Sequence, residues 1–174
     1  MKPTKILHLI AAASSSAIAS YLLIRLAIGA GFKVPVSGLN LILTLPIIGA
    51  IVLLLAIPII RYRRSLREFA KASSAASAAR PKRVDPFYAV RVLMLAKATA
   101  IAGSLFAGWH LGAVAVQASQ PVIADSIWFN VAGLIAAVLM SIAGVITERI
   151  CKIPDAGNAE TSGGSKSASE ATPA

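Results

Sequence analysis

The sequence holds few of the residues that carry chemistry. Its single cysteine, Cys151, cannot form an intramolecular disulfide and falls short of a cysteine metal cluster. Two histidines, His8 and His110, leave little for acid–base or metal work. The seven acids are Glu68, Asp85, Asp125, Glu148, Asp155, Glu160 and Glu170, and none falls in the middle of an apolar run. Paired carboxylates, a nucleophile with its base and a metal-ligand set are all missing at usable spacing. This predicts a protein that is not an enzyme and uses no cofactor or metal. The lack of an intramembrane acid also disfavours proton-coupled transport. Charge is scarce as well: 14% of residues carry one, against about 25% in soluble domains. So little charge does not cover a water-facing surface of this size.

Hydrophobic residues, by contrast, make up 57% of the chain, and they come in long blocks at about residues 6–28, 39–60, 92–116 and 127–147. A hydrocarbon core of about 30 Å takes about 20 helical residues at 1.5 Å each. Each block is long enough. Helices satisfy their own backbone groups in lipid, and the alternating pattern of barrel strands is missing. The expected fold is therefore an all-α bundle of four transmembrane helices within an integral membrane domain at residues 1–155. The first block also admits a signal-peptide reading, with Lys2 and Lys5 before a short apolar stretch and Ala17-Ile18-Ala19 as a cleavage site. The apolar run continues past that site, which favours a retained span.

Orientation follows from the basic residues. Arg61, Arg63, Arg64, Arg67, Lys71, Arg80, Lys82 and Arg83 fall between spans two and three. Lys2, Lys5, Arg91, Arg149, Lys152 and Lys166 add to the same side, while only Arg25 and Lys33 fall on the other. The positive-inside rule then places both termini and the central loop, about 61–88, in the cytoplasm and the protein in the plasma membrane. Trp109 and Trp128 fall near the outer span ends, where an aromatic belt belongs. Short connections at 29–38 and 117–126 predict two antiparallel hairpins. The basic loop reads as partly helical or disordered. The tail at 156–174, rich in Gly and Ser, reads as disordered.

Span three is the most informative. Ala96, Ala100, Ser104, Gly108 and Gly112 recur every four residues, a spacing that lets a second helix backbone approach closely in lipid. Lys97 projects from near the centre of that stripe, about 9 Å deeper than Arg91. It can snorkel to the interface, pair with Glu148 at the inner end of span four, or recognise a ligand or partner helix. The basic loop is explained by topology alone, with contact to anionic lipid as a second use. Nucleic acid is a poor fit, since the loop offers only Tyr62 and Phe69 for stacking. Pro46 and Pro58 within span two predict a bent helix. His8 and His110 fall at opposite membrane faces and read as interfacial polar residues. Cys151 reads as a small interfacial residue, with palmitoylation as an alternative.

The residues around span three and its sequel resemble a known family. Pro3-Thr4-Lys5, the stretch Arg91 to Gly103 with Ala96-Lys97-Ala98-Thr99-Ala100, the Gly108-Trp109 pair with Gly112, and Cys151-Lys152-Ile153-Pro154-Asp155 are similar to an actinobacterial four-span membrane family catalogued as domain of unknown function 3180. The resemblance implies Arg91, Lys97, Gly103, Gly108, Trp109, Gly112, Cys151 and Pro154 as motif positions and brings no activity with it. Where many members have a second aromatic after the tryptophan, this chain has His110. The expected role is a non-enzymatic packing, adaptor or accessory subunit. It would use the span-three groove to pack against a second copy or a larger membrane protein. The alternative is a small transporter or channel subunit with Lys97 lining an anion path.

Overall fold

The computed structural model describes residues 5–72, 86–121 and 125–151. They form four helices: α1 (Ile6–Gly29), α2 (Leu39–Ala72), α3 (Pro86–Ala118) and α4 (Ile127–Cys151). Each is long and apolar enough to cross a membrane, and the described residues contain no strand. The all-helical, four-span fold expected from the hydrophobic blocks is the one observed. The helices overrun those blocks at the basic end. There α2 continues to Ala72 and carries Arg61, Arg63 and Arg64 on helix, and α3 starts at Pro86. Residues 73–85 of the basic segment, the tail at 156–174 and Pro154 lie outside the described residues.

Helix neighbours are set by where backbones can meet. In α3, a Cβ on Gly108 would collide with the Ala13 carbonyl oxygen, and one on Gly112 would collide with Ser20 Oγ; both belong to α1. Four residues on, Ile24 of α1 packs with Val116 of α3. The paired numbers rise together, so α1 and α3 run parallel. Gly49 of α2 lies against Met140 and Ala143 of α4. Farther along, Arg63 Nη1 donates to Ile150 O at 2.8 Å, so α2 and α4 are parallel too. The two pairs join through α3 and α4, which run antiparallel: Gly144 faces Ala96 and Ala100, and Gly103 faces Ser141. Small residues line the α1–α3 and α3–α4 seams because, in lipid, close backbone packing is what holds helices together. The lateral order is thus α1–α3–α4–α2, with α2 also touching α3 near Tyr88, whose hydroxyl donates to Leu55 O at 2.8 Å. Leu55 lies one turn before Pro58, where a proline opens the helical ladder.

This arrangement departs from two simple hairpins. Spans three and four do pack as an antiparallel pair, but α1 and α2 make no contact with each other among the described residues. They straddle the α3–α4 pair instead. The reason lies in their connection. Gly31, at φ +85°, ends α1 with Gly31 N–H donating to Ile28 O and Phe32 N–H to Ala27 O, both at 2.9 Å, a left-handed C-cap that suits glycine. The chain then runs without helix to Gly38, whose carbonyl accepts the first bonds of α2. Nine non-helical residues reach up to about 30 Å. Two adjacent helices are about 10 Å apart, so the segment is long enough to cross both. We call residues 30–38 the strap.

A polar network and cleft beneath the strap

The span-three stripe is buried along its whole length: Ala96, Ala100, Ser104, Gly108 and Gly112 are all interior. Its occupants belong to the same chain, with α4 covering Ala96 and Ala100 and α1 covering Gly108 and Gly112. Two hydroxyls lock these seams, since Ser16 Oγ donates to Leu105 O at 2.7 Å and Ser141 Oγ to Ala100 O at 3.1 Å. Ser104 Oγ turns back to Ile101 O within its own helix. The four-residue spacing of the stripe predicts a groove for a partner or a second copy. In the folded chain that groove is filled, because α1 runs parallel to α3 and brings Ala13, Ser16, Ala17 and Ser20 to it.

Lys97 Nζ lies 3.9 Å from Glu148 Oε1, so of the three expectations for Lys97 the pairing across α3 and α4 is the one formed. Glu148 is 5% exposed at the side chain, and Lys97 is half-buried at 26%. Of the remaining motif positions, Arg91 is exposed, Gly103 is pressed against Ser141, and Trp109 faces outward. Cys151 is buried with Ile59 and Val92 at the junction of α2, α3 and α4, a structural packing position. The described residues contain no group of three potential metal ligands.

The most polar interior lies at the opposite end, under the strap. Asn130 of α4, 1% exposed, uses all four of its bonding positions. Its Oδ1 accepts from Ser37 Oγ at 2.7 Å and from Ser37 N–H at 3.3 Å, and its Nδ2 donates to Pro35 O at 3.2 Å and Gln117 Oε1 at 2.9 Å. This network fixes the amide orientation, since turning the amide over would set donor against donor at Ser37 and acceptor against acceptor at Pro35. It also fixes a proton at His110. Ser37 has one hydroxyl hydrogen, and the short bond to Asn130 takes it. His110 Nδ1, 3.1 Å from Ser37 Oγ, must therefore carry the hydrogen and donate. Its Nε2 is buried with no hydrogen-bond partner among the described residues. The serine–histidine contact thus points the wrong way for a nucleophile and base, because the imidazole gives a proton to the hydroxyl and does not take one.

Its place near a span end predicts an interfacial His110, and the structure differs. The residue is 1% exposed, and the ring rests on Gly133, where a Cβ would come within 2.8 Å of Cε1. The strap covers it, and a strap position is not visible in helical periodicity. Ser37, Gln117 and Asn130 were not singled out from the sequence at all. The available signal was a pair of amides, Gln117 and Asn130, at the ends of apolar runs, where an unpaired polar group is costly.

Beside this network, the strap, the end of α1 and the end of α3 enclose an open cleft of about 540 Å³. Its walls include Ile28, Phe32, Val34 and Val36, with Lys33, Gln117, Gln120 and Ser126 as polar members. A smaller recess of about 170 Å³ at the basic end lies between Arg63, Arg64, Ile60 and Ile150. Arg63 is already committed there to the terminal turn of α4.

Four apolar helices whose interior polar groups tie helix to helix and strap to bundle define a multi-span helical membrane protein. The family model described as "Protein of unknown function (DUF3180)" matches residues 9–155, and the chain belongs to that family. No curated protein and no solved structure matches the chain significantly.

Proposed function

We propose that the chain is a non-enzymatic accessory subunit that assembles laterally with a larger membrane protein through the free face of α1. One observation carries this reading. Among the four helices α1 contacts only α3, and its opposite face carries Ala11, Ser14, Ser15, Ile18 and Ala19, all exposed. Ala11, Ser15 and Ala19 repeat the four-residue spacing of small residues that lets a second backbone come close. Ser14 adds a hydroxyl with no hydrogen-bond partner among the described residues, about 12 Å from the start of the helix. In hydrocarbon such a donor gains from a protein acceptor. The groove of α3 does not serve this role, because α1 fills it.

An anion path through Lys97 is disfavoured by the carboxylate of Glu148 at 3.9 Å, which offsets the charge an anion would need. For orientation, the clustering of Arg61, Arg63 and Arg64 on α2 with Arg149 at the end of α4 supports a cytoplasmic basic end in the plasma membrane.

The test is purification from native membranes in a mild amphiphile. Wild-type chain should bring down one stoichiometric membrane protein, and Ser15→Leu or Ala19→Leu should release it while the four-helix fold persists. Recovery of the chain alone, or an association indifferent to both substitutions, contradicts the proposal.

A further inference from the structure

The cleft under the strap has the composition of a site for one particular kind of molecule. Its walls are mainly aliphatic and aromatic: Ile28 from α1, and Phe32, Val34 and Val36 from the strap. Lys33, Gln117, Gln120 and Ser126 interrupt them, and the first two bear on a ligand. Lys33 brings an ammonium that has no ion-pair partner among the described residues, and it is one of only two basic residues at this end. The other, Arg25, is engaged with Tyr21: its Nε and Nη2 donate to the phenol oxygen at 3.2 and 3.1 Å. The second polar group is Gln117, which is 4% exposed. Its Oε1 is fixed by Asn130 Nδ2, so its Nε2 hydrogens are held away from the network and have no acceptor among the described residues. A nearly buried amide donor and a cation therefore line a cleft whose remaining walls are mainly apolar, with Gln120 and Ser126 as further polar members. The cleft sits where helix ends meet the strap, beside exposed Phe32 and near the start of α4 with exposed Trp128, the side chains of a membrane–water boundary.

We propose that this cleft binds a single anionic phospholipid from the leaflet on the Lys33 side. The phosphate sits against the Lys33 ammonium and the Gln117 Nε2 hydrogens, and an acyl chain lies along Ile28, Phe32 and Val36. A free phosphate makes no use of the apolar walls, and a neutral lipid makes no use of the cation. The position is distinct from the arginine-rich end, where headgroup contact follows from topology alone, and it stands independently of any docking by α1.

The test uses full-length protein in a neutral amphiphile, titrated with phosphatidylglycerol carrying a fluorescent acyl chain and, separately, with the matching phosphatidylcholine. Saturable binding of one phosphatidylglycerol per chain is expected, tighter than phosphatidylcholine. Lys33→Gln should weaken phosphatidylglycerol about fivefold, as expected for about 1 kcal/mol per basic residue at a membrane surface. Val36→Trp fills the cleft and should abolish the saturable component for both lipids. Both positions are exposed, so helical content by circular dichroism should match wild type. Saturable binding that survives Val36→Trp, or a phosphatidylglycerol preference that survives Lys33→Gln, overturns the site. Displacement of the lipid by millimolar inorganic phosphate overturns its assignment to a lipid in favour of a soluble anion.

Discussion

Ser37 of the strap holds Asn130 of α4 twice, through its hydroxyl at 2.7 Å and its backbone N–H at 3.3 Å. The contact spans 93 positions in the chain and explains how a connection without secondary structure acquires a fixed path. It pins the strap to the helix on the far side of α3, and so sets α1 and α2 on opposite flanks of the bundle.

Ser37→Ala should loosen that path without unravelling the helices. The change leaves His110 Nδ1 and one lone pair of Asn130 Oδ1 buried without a partner, at a cost of about 1–3 kcal/mol. Hydrogen exchange should rise at residues 32–38, while exchange in the middle of α3 and α4 stays slow. Unchanged protection in the strap contradicts the pin.

Gly108→Ala should weaken the α1–α3 seam by about 1–3 kcal/mol, as overpacking does, because its new methyl would meet the Ala13 carbonyl oxygen. Gly29→Ala is the matched control, since a Cβ there meets nothing within 4 Å. Thermal melts in one amphiphile should separate the two variants. Equal melts would show that α1 does not pack where the structure puts it. A Gly108→Leu variant is correspondingly a fold-breaking change, and loss of assembly in it says nothing about a docking face.

Lys97→Met should destabilise the chain by about 2 kcal/mol, below the range of about 3–5 kcal/mol for a fully buried pair because the lysine is only half-buried. Adding Glu148→Gln should restore part of that loss, because the carboxylate is no longer charged beside an apolar side chain. A double-mutant cycle read by thermal melting measures the coupling. A coupling of zero would assign Lys97 to the interface alone.

Orientation has its own readout. In a Cys151→Ser background, a cysteine at Ser119 should react with an impermeant thiol reagent in intact cells, and one at Ser74 should react only after lysis. The reverse pattern would turn the molecule over and move the lipid cleft to the cytoplasmic leaflet.

The spans were legible because a run of about 20 apolar residues is a length requirement of the bilayer, independent of neighbours. The ion pair was legible for a related reason: Lys97 and Glu148 fall at matching depth on the two helices of one short hairpin, and such helices meet. The stripe at Ala96, Ala100, Ser104, Gly108 and Gly112 was legible as a contact surface but not in its occupant. Small residues say that a backbone comes close and not whose backbone it is. The flanking positions of α1 and α2 were hidden for another reason. A nine-residue connection permits both a tight hairpin and a crossing, and hydrogen bonds from Ser37 and Pro35 to a distant asparagine decide between them. His110 is the sharpest case, since its place near a span end marks an interfacial residue until a strap closes over it.

The most direct test of the central claim, that the free face of α1 is an assembly surface, is site-specific photocrosslinking in native membranes. A photoreactive residue replaces Ser14 in one variant and Leu54, on the exposed face of α2, in another. The account predicts one discrete protein adduct from position 14, lost when Ala19→Leu is added, and lipid adducts alone from position 54. Lipid adducts alone from both positions, or the same protein adduct from both, would contradict it.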